Sequence, residues 1–225
     1  PMRPQHYRVY SQAQESFWCC VGSGLENHAK YGELIYAHKD ENLYVNMFIP
    51  STLSWEEKGM ELTQQTDFPY SNRSQLILKL NSSMRMDIKV RCPQWTEKSD
   101  LQIVINGKVQ DIKVLPSGYV KLSQRWKNND TITIDFSTKT RAEYLPDQSN
   151  WVSFVHGPIV LAAVVDSAHL DGLWADGGRM GHVASGKKYP IESCPTLELK
   201  DQETAESLIE PLKDSPLTFT LNRLK

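Results

Sequence analysis

The chain has 225 residues, 40% of them hydrophobic and 23% charged, with a formal net charge of −2. That composition suits a globular protein of one large domain or two small ones. The near-neutral, unsegregated charge gives no basic arm for nucleic acid and no cationic patch for a membrane surface, and no apolar run approaches the ~18 residues of a membrane span.

Residues Pro1 to His6 hold no apolar signal-peptide core. The first informative segment is Ser16-Phe17-Trp18-Cys19-Cys20-Val21-Gly22-Ser23-Gly24-Leu25-Glu26-Asn27-His28. Ser23 and Glu26 make the S-x-x-E pattern of a capping box. A helix is therefore predicted from Gly24 to about Ala37, with Leu25, Ala29, Gly32 and Tyr36 at helical spacing and Glu26–Lys30 as an i,i+4 pair. Cys19 and Cys20 then lie just outside a helix N-terminus. There the helix dipole and free N–H groups lower a thiol pKa, and the thiolate is the form that binds metals and attacks electrophiles.

A zinc site needs four donors, or three and an open position. His28 falls one and a half turns into the predicted helix and reads as a packed or surface residue. Glu26 is the capping partner, and His6 and Glu15 lack metal-type spacing. Local residues do not complete a zinc set.

After Lys39-Asp40 the period changes to two. Leu43, Val45, Met47 and Ile49 predict one strand, ended by Pro50. Met60 and Leu62, then Leu76, Leu78 and Leu80, then Met84 through Cys92, then Leu101, Ile103 and Ile105 continue the alternation. Asn106-Gly107 is a hairpin turn signal, since both positions favour positive φ. Gly118 to Leu122 and Thr131 to Phe136 follow, with Asn128-Asn129-Asp130 as the turn between them. Short alternating strands with one polar face predict a mainly β protein, an antiparallel β-sandwich.

Trp151 to Val165 predicts two strands with a bend at Gly157-Pro158. Asp166 to Pro190 reads as a long irregular loop. Glu203 to Leu212 predicts a short helix and Leu217 to Leu221 a last strand.

Other chemistry is thinner. Cys92 and Cys194 stand alone, as buried small side chains or one ordinary disulfide. Asp166, Asp171 and Asp176 lack the alternate-position spacing of a calcium loop. A thiol redox protein lacks its C-x-x-C and βαβ context. Trp55, Trp95, Trp126, Trp151, Trp174 and Tyr119 offer faces on which a sugar could stack, although aromatic side chains more often fill sandwich cores.

The segment Ser16 to Tyr36 resembles the β-L-arabinofuranosidases of glycoside hydrolase families 127 and 146. So do residues Tyr44 to Leu53 (YVNMFIPSTL), Gln65 to Tyr70 (QTDFPY), Arg91 to Trp95 (RCPQW) and His156 to Ala162 (HGPIVLA). The resemblance runs from about residue 10 to about residue 190, and the Cys-Cys-x-G-x-G-x-E-N block is its most specific part. It implies an (α/α)6 catalytic barrel followed by β-sandwich domains, and a zinc ion on three cysteines and a glutamate. It further implies retention through a thioglycosyl intermediate, with a separate glutamate as acid/base. Carried onto this sequence, Cys19 matches the nucleophile and a zinc ligand, and Cys20 matches a second zinc ligand.

The third cysteine, the zinc-binding glutamate and the acid/base should all precede the pair. Only 18 residues do, with Glu15 their one carboxylate. The expectation is therefore a C-terminal portion of a larger enzyme, inactive alone. Residues 1–39 would be a helical remnant of the barrel, 40–145 the jelly-roll-like sandwich, and 146–225 a second β-rich segment. The resemblance further implies plant-type arabinose-containing glycans as substrate and zinc as the parent enzyme's cofactor. A secreted or periplasmic location is expected, with a signal upstream, and a cytoplasmic one is the alternative. The competing reading is a non-catalytic sandwich that braces a barrel or binds glycan.

Overall fold

A computed structural model describes residues 19–147, 149–164, 174, 190, 192 and 194–225, with residues 19–21 in backbone only. One helix, α1 (Cys19–Leu34), comes first. Ten strands follow: β1 (Tyr36–Lys39), β2 (Asn42–Val45), β3 (Ser51–Trp55), β4 (Met60–Thr66), β5 (Arg73–Leu80), β6 (Met84–Arg91), β7 (Gln102–Ile105), β8 (Lys108–Val109), β9 (Tyr119–Trp126) and β10 (Thr131–Asp135). They form two sheets of order β1-β2-β6-β9 and β3-β4-β5-β10-β7-β8. A hydrophobic core contributed by both sheets makes a β-sandwich, as the periodicity predicted.

The core is the apolar half of the alternation. Leu62, Leu76, Leu78, Ile88, Val90, Ile103, Ile132 and Ile134 are fully buried, each worth about 1.5–3 kcal/mol relative to exposure. Trp126 is also fully buried, and its Nε1–H donates to the Met86 carbonyl at 2.9 Å, so its polar edge is satisfied inside the core. Asn106 (φ 49°) and Gly107 (φ 78°) close the β7–β8 hairpin as predicted. The Asn106 amide also donates to Asp130 Oδ1 at 2.8 Å and accepts from Thr131 N–H at 2.8 Å, tying that turn to the start of β10.

Several sequence expectations are corrected. The helix already contains Cys19 and Cys20, and Ser23 and Glu26 lie within it. A capping pattern acts only at a free helix end, and Cys19 to Gly22 contain no proline to create one there. At its other end α1 stops at Leu34. The buried Ile35 accepts N–H bonds from Asn46 (2.9 Å) and Met47 (3.4 Å), and Tyr36–Lys39 pair with β2 instead of continuing the helix. The same bonds end β2 at Val45. The alternation then slips by one, so Phe48 is buried while Met47 and Ile49 are half-buried. β2 and β6 run parallel, Leu43 opposite Ile88, in an otherwise antiparallel pair of sheets. The chain leaves the first sheet after β2, builds β3–β5 in the second, and returns. β3 was not anticipated.

Beyond the sandwich, β11 (Thr140–Tyr144), β12 (Val152–His156) and β13 (Ile159–Val160) form a three-stranded antiparallel sheet. β12 and β13 are the two predicted strands, joined at Gly157-Pro158, while β11 was not anticipated. A short 3-10 turn at Ala205–Leu208 stands where a longer helix was expected, and β14 (Ile209–Pro211) pairs with β15 (Phe219–Leu221). The chain divides into two compact units, residues 31–161 with 211–218, and residues 1–30 with 162–210 and 219–225.

Candidate functional site

The predicted site residues begin α1. Cys19 and Cys20 are its first two residues, so they lie in the first turn rather than outside it. The N–H groups in the first turn of a helix have no intrahelical acceptor and carry the positive end of its dipole. Glu26 and His28 sit further along the same helix, both exposed. Among the described residues no three His, Cys, Asp or Glu side chains cluster as a metal site would require. His6, Glu15, Asp166, Asp171 and Asp176 lie outside the described residues.

The other two cysteines are free thiols, which removes the disulfide reading. Cys92 is buried at the end of β6, and burial pushes its thiol pKa up, the opposite of an activated nucleophile. Cys194 is half-buried.

The tryptophans divide by environment. Trp126 is core. Trp55 is half-buried, with His38 at 5.0 Å and the Lys58 ammonium 5.8 Å from its ring. Trp95 stacks on Phe68, while Trp151 and Trp174 are exposed. Tyr119 is half-buried; its hydroxyl donates to Asn46 Oδ1 at 2.8 Å, and the Tyr44 ring meets it edge-on at 5.4 Å.

Four of the five sequence blocks that carry the resemblance meet in one place. Phe48, Phe68 and Trp95 come from three of them and surround Phe136, with ring centroids 4.4, 5.7 and 5.6 Å from it. Gly157, from the fourth, lies beside Trp95: a Cβ on it would stand 3.7 Å from that ring. These blocks are therefore packing determinants of the sandwich and the sheet after it. Sequence reasoning missed Gln64, which is 2% exposed on the core face of β4. Its Nε2 donates to the carbonyls of Met47 (3.0 Å) and Ile49 (2.8 Å), and its Oε1 accepts from Ser74 Oγ at 3.2 Å. It pins the non-strand segment after β2 to the second sheet. A polar residue at an apolar position of a period-two run was the available signal.

The architecture is that of a two-sheet β-sandwich followed by a three-stranded sheet. Residues 42–138 match the model of the beta-L-arabinofuranosidase GH127 middle domain, and residues 141–225 match DUF4986, a domain of unknown function. A GH127 beta-L-arabinofuranosidase from Geobacillus stearothermophilus T6 has a similar fold, with TM-score 0.57 and 21% identity over 63% of this chain and 23% of that one. A second solved structure, described as a glycoside hydrolase, gives TM-score 0.57 and 21% identity over 64% of this chain and 25% of that one. The chain thus spans about a quarter of the length of these two structures. No curated protein sequence matches it. Residues 42–138, under half of the chain, are thus similar to the GH127 middle domain.

Proposed function

We propose that this chain is part of a retaining glycoside hydrolase of the β-L-arabinofuranosidase type, with Cys19 as nucleophile and Cys20 as a zinc ligand. The observation that carries the reading is the conjunction, in one chain, of a GH127-like middle domain at 42–138 with a helix that opens on Cys19-Cys20. The rest of α1 supports it. Leu25 and Leu34 are 64% and 52% exposed and lie on opposite sides of the helix axis. Gly22, Gly24 and Gly32 have open space where a Cβ would stand. A helix with apolar side chains on opposite faces and three helix-weakening glycines suits a packed environment in a longer protein.

In this reading residues 1–39 close the catalytic domain, 40–145 are the sandwich, and 146–225 are a further β-rich segment. The first-turn field favours the Cys19 thiolate. That thiolate attacks the anomeric carbon, forming a C–S bond as the bond to the leaving oxygen breaks. A carboxylic acid elsewhere in the enzyme protonates that oxygen, and water then displaces the thiol with net retention. The glycans acted on are arabinose-containing, of plant type. Two adjacent thiols are half of a tetrahedral donor set, and the described residues supply no third donor. The described residues therefore do not complete a zinc site.

The test has two arms. The isolated chain is expected to bind no stoichiometric zinc and to leave an aryl β-L-arabinofuranoside uncleaved. In the longer enzyme that contains it, Cys19→Ser is expected to lower kcat by at least about 10³-fold, the scale of losing a catalytic nucleophile. Full activity of that variant sinks the nucleophile assignment. One zinc per isolated chain, lost in Cys20→Ser, sinks the incomplete-site reading.

A second reading, a brace without chemistry, is favoured by the convergence of four family-like blocks on packing around Phe136. It predicts that Cys19→Ser leaves the longer enzyme active while Trp95→Ala lowers its stability.

A further inference from the structure

β11 and β12 pair with Glu143 opposite Ser153 and Tyr144 opposite Val152. Past that last pair the strands part into the connection over residues 145–151. At their open end lies a cleft of about 340 Å³ lined by Glu143, Tyr144, Leu145, Trp151, Val152 and Ser153. We propose that this cleft is a binding subsite for a neutral saccharide. The proposal goes beyond the hydrolase reading and stands or falls separately from it.

Three features point to a sugar. The first is the exposure of Trp151 (46%) and Tyr144 (52%) on the walls of the cleft. Both have flat apolar faces with one polar edge, the complement of a sugar ring, which has an apolar C–H face and a hydroxyl rim. Leu145, 49% exposed, extends the apolar wall.

The second is a fixed hydroxyl partner. Glu143 Oε1 accepts from Arg141 Nε (2.9 Å) and Nη2 (2.6 Å), and Arg141 Nη1 donates to the Gly157 carbonyl at 3.0 Å. The guanidinium thus holds the carboxylate through one oxygen and offsets its charge. Oε2 remains as an acceptor in a set geometry, with the exposed Ser153 hydroxyl across the ladder as donor or acceptor.

The third feature is charge. The lining contains no Lys, Arg or His, and the nearby Arg141 is committed to Glu143 and the Gly157 carbonyl, so no cation is left for a phosphate, sulfate or uronate, and the class is narrowed to neutral saccharides. The volume falls in the range of small-ligand sites.

The experiment titrates the purified chain with arabino-oligosaccharides and, separately, with cello-oligosaccharides, followed by calorimetry and tryptophan fluorescence. Saturable binding is expected with a dissociation constant of about 1 mM, the scale of a ligand contacting one or two rings. Trp151→Ala and Tyr144→Ala should each weaken it at least about tenfold, the scale of a lost stacking face. Both side chains are about half exposed, so an unchanged far-ultraviolet circular dichroism spectrum and unfolding midpoint separate lost binding from lost fold. Trp55→Ala should leave binding unchanged. Binding of either probe, or both, that depends on Trp151 supports the subsite and indicates its sugar preference. Absence of saturable binding of both probes up to about 10 mM, or binding that survives Trp151→Ala, overturns it.

Discussion

The ring of Phe68 stacks on the ring of Trp95, centroids 5.4 Å apart and 12° from parallel. The two residues sit in separate connections, one after β4 and one after β6, and Phe136 at the end of β10 packs against both. On the far side Gly157, between β12 and β13, comes up against Trp95 and Thr138. One tryptophan thus joins the GH127-like middle domain to the sheet that opens the following matched segment.

Gly157 is the sensitive point of that joint. Its φ is +55°, and a Cβ there would stand 3.0 Å from Thr138 Cγ2. Gly157→Ala should cost about 1–2 kcal/mol, combining left-handed strain with the tight approach. Trp95→Ala, which removes a half-buried ring from three neighbours, should cost about 2–3 kcal/mol. Urea unfolding midpoints measure both. A Gly157→Ala variant as stable as the parent would mean that this turn relaxes freely and that Trp95 does not depend on it.

Gln64 makes a different kind of bond between segments. Gln64→Ala removes the side-chain partner of the Met47 carbonyl and the Ser74 hydroxyl in a nearly dry site, and one of two donors to the Ile49 carbonyl, which keeps Ser51 Oγ at 2.8 Å. The expected loss is about 2–4 kcal/mol, since unsatisfied buried groups add to the cavity. Gln64→Leu fills the volume but not the hydrogen bonds, so it should recover only part of that loss. Complete recovery would show that packing, not hydrogen bonding, holds the 46–49 segment.

The strands were legible because burial in a two-sheet sandwich follows period two, and Leu62, Leu78, Ile88 and Ile103 keep that period without interruption. Asn106-Gly107 was legible because its turn demands positive φ at both positions. What stayed hidden depended on partners distant in sequence. Ile35 ends both the helix and β2 by accepting from Asn46 and Met47. The parallel β2–β6 pair is set by a crossover, which leaves no local pattern. β3 (Ser51–Trp55) has its residues exposed or half-buried at the edge of its sheet, so little hydrophobic alternation marks it. The thiol pair was visible at once as a motif. Its helix was placed five residues late because a capping pattern is only a side-chain option.

Cys92 and Cys194 give a clean chemical contrast. Burial raises the Cys92 thiol pKa, and the side chain is 8% exposed, so the native protein should leave it unmodified by Ellman's reagent at neutral pH. Cys194 is half-buried and should react first. In a Cys19→Ser/Cys20→Ser background, one fast thiol and a second released only by denaturant are expected. Two equally fast thiols would mean that the end of β6 opens readily in the native state.

His156 makes the fold sensitive to mild acid. Burial lowers its pKa below the ordinary value of about 6.5, and Thr140 Oγ1 lies 2.9 Å from its Nδ1. A group whose pKa is depressed in the folded state takes up its proton more readily when unfolded. Its contribution is therefore fully present above about pH 6.5 and is lost as the pH falls from there through the folded-state pKa. The unfolding midpoint should drop across that window, and His156→Gln, which cannot charge, should flatten the decline. The imidazole proton resonance of His156 should titrate with a midpoint below 6.5. A midpoint at or above 6.5 would show that the ring protonates without strain in the native sheet, and the predicted acid sensitivity would then have to come from other groups.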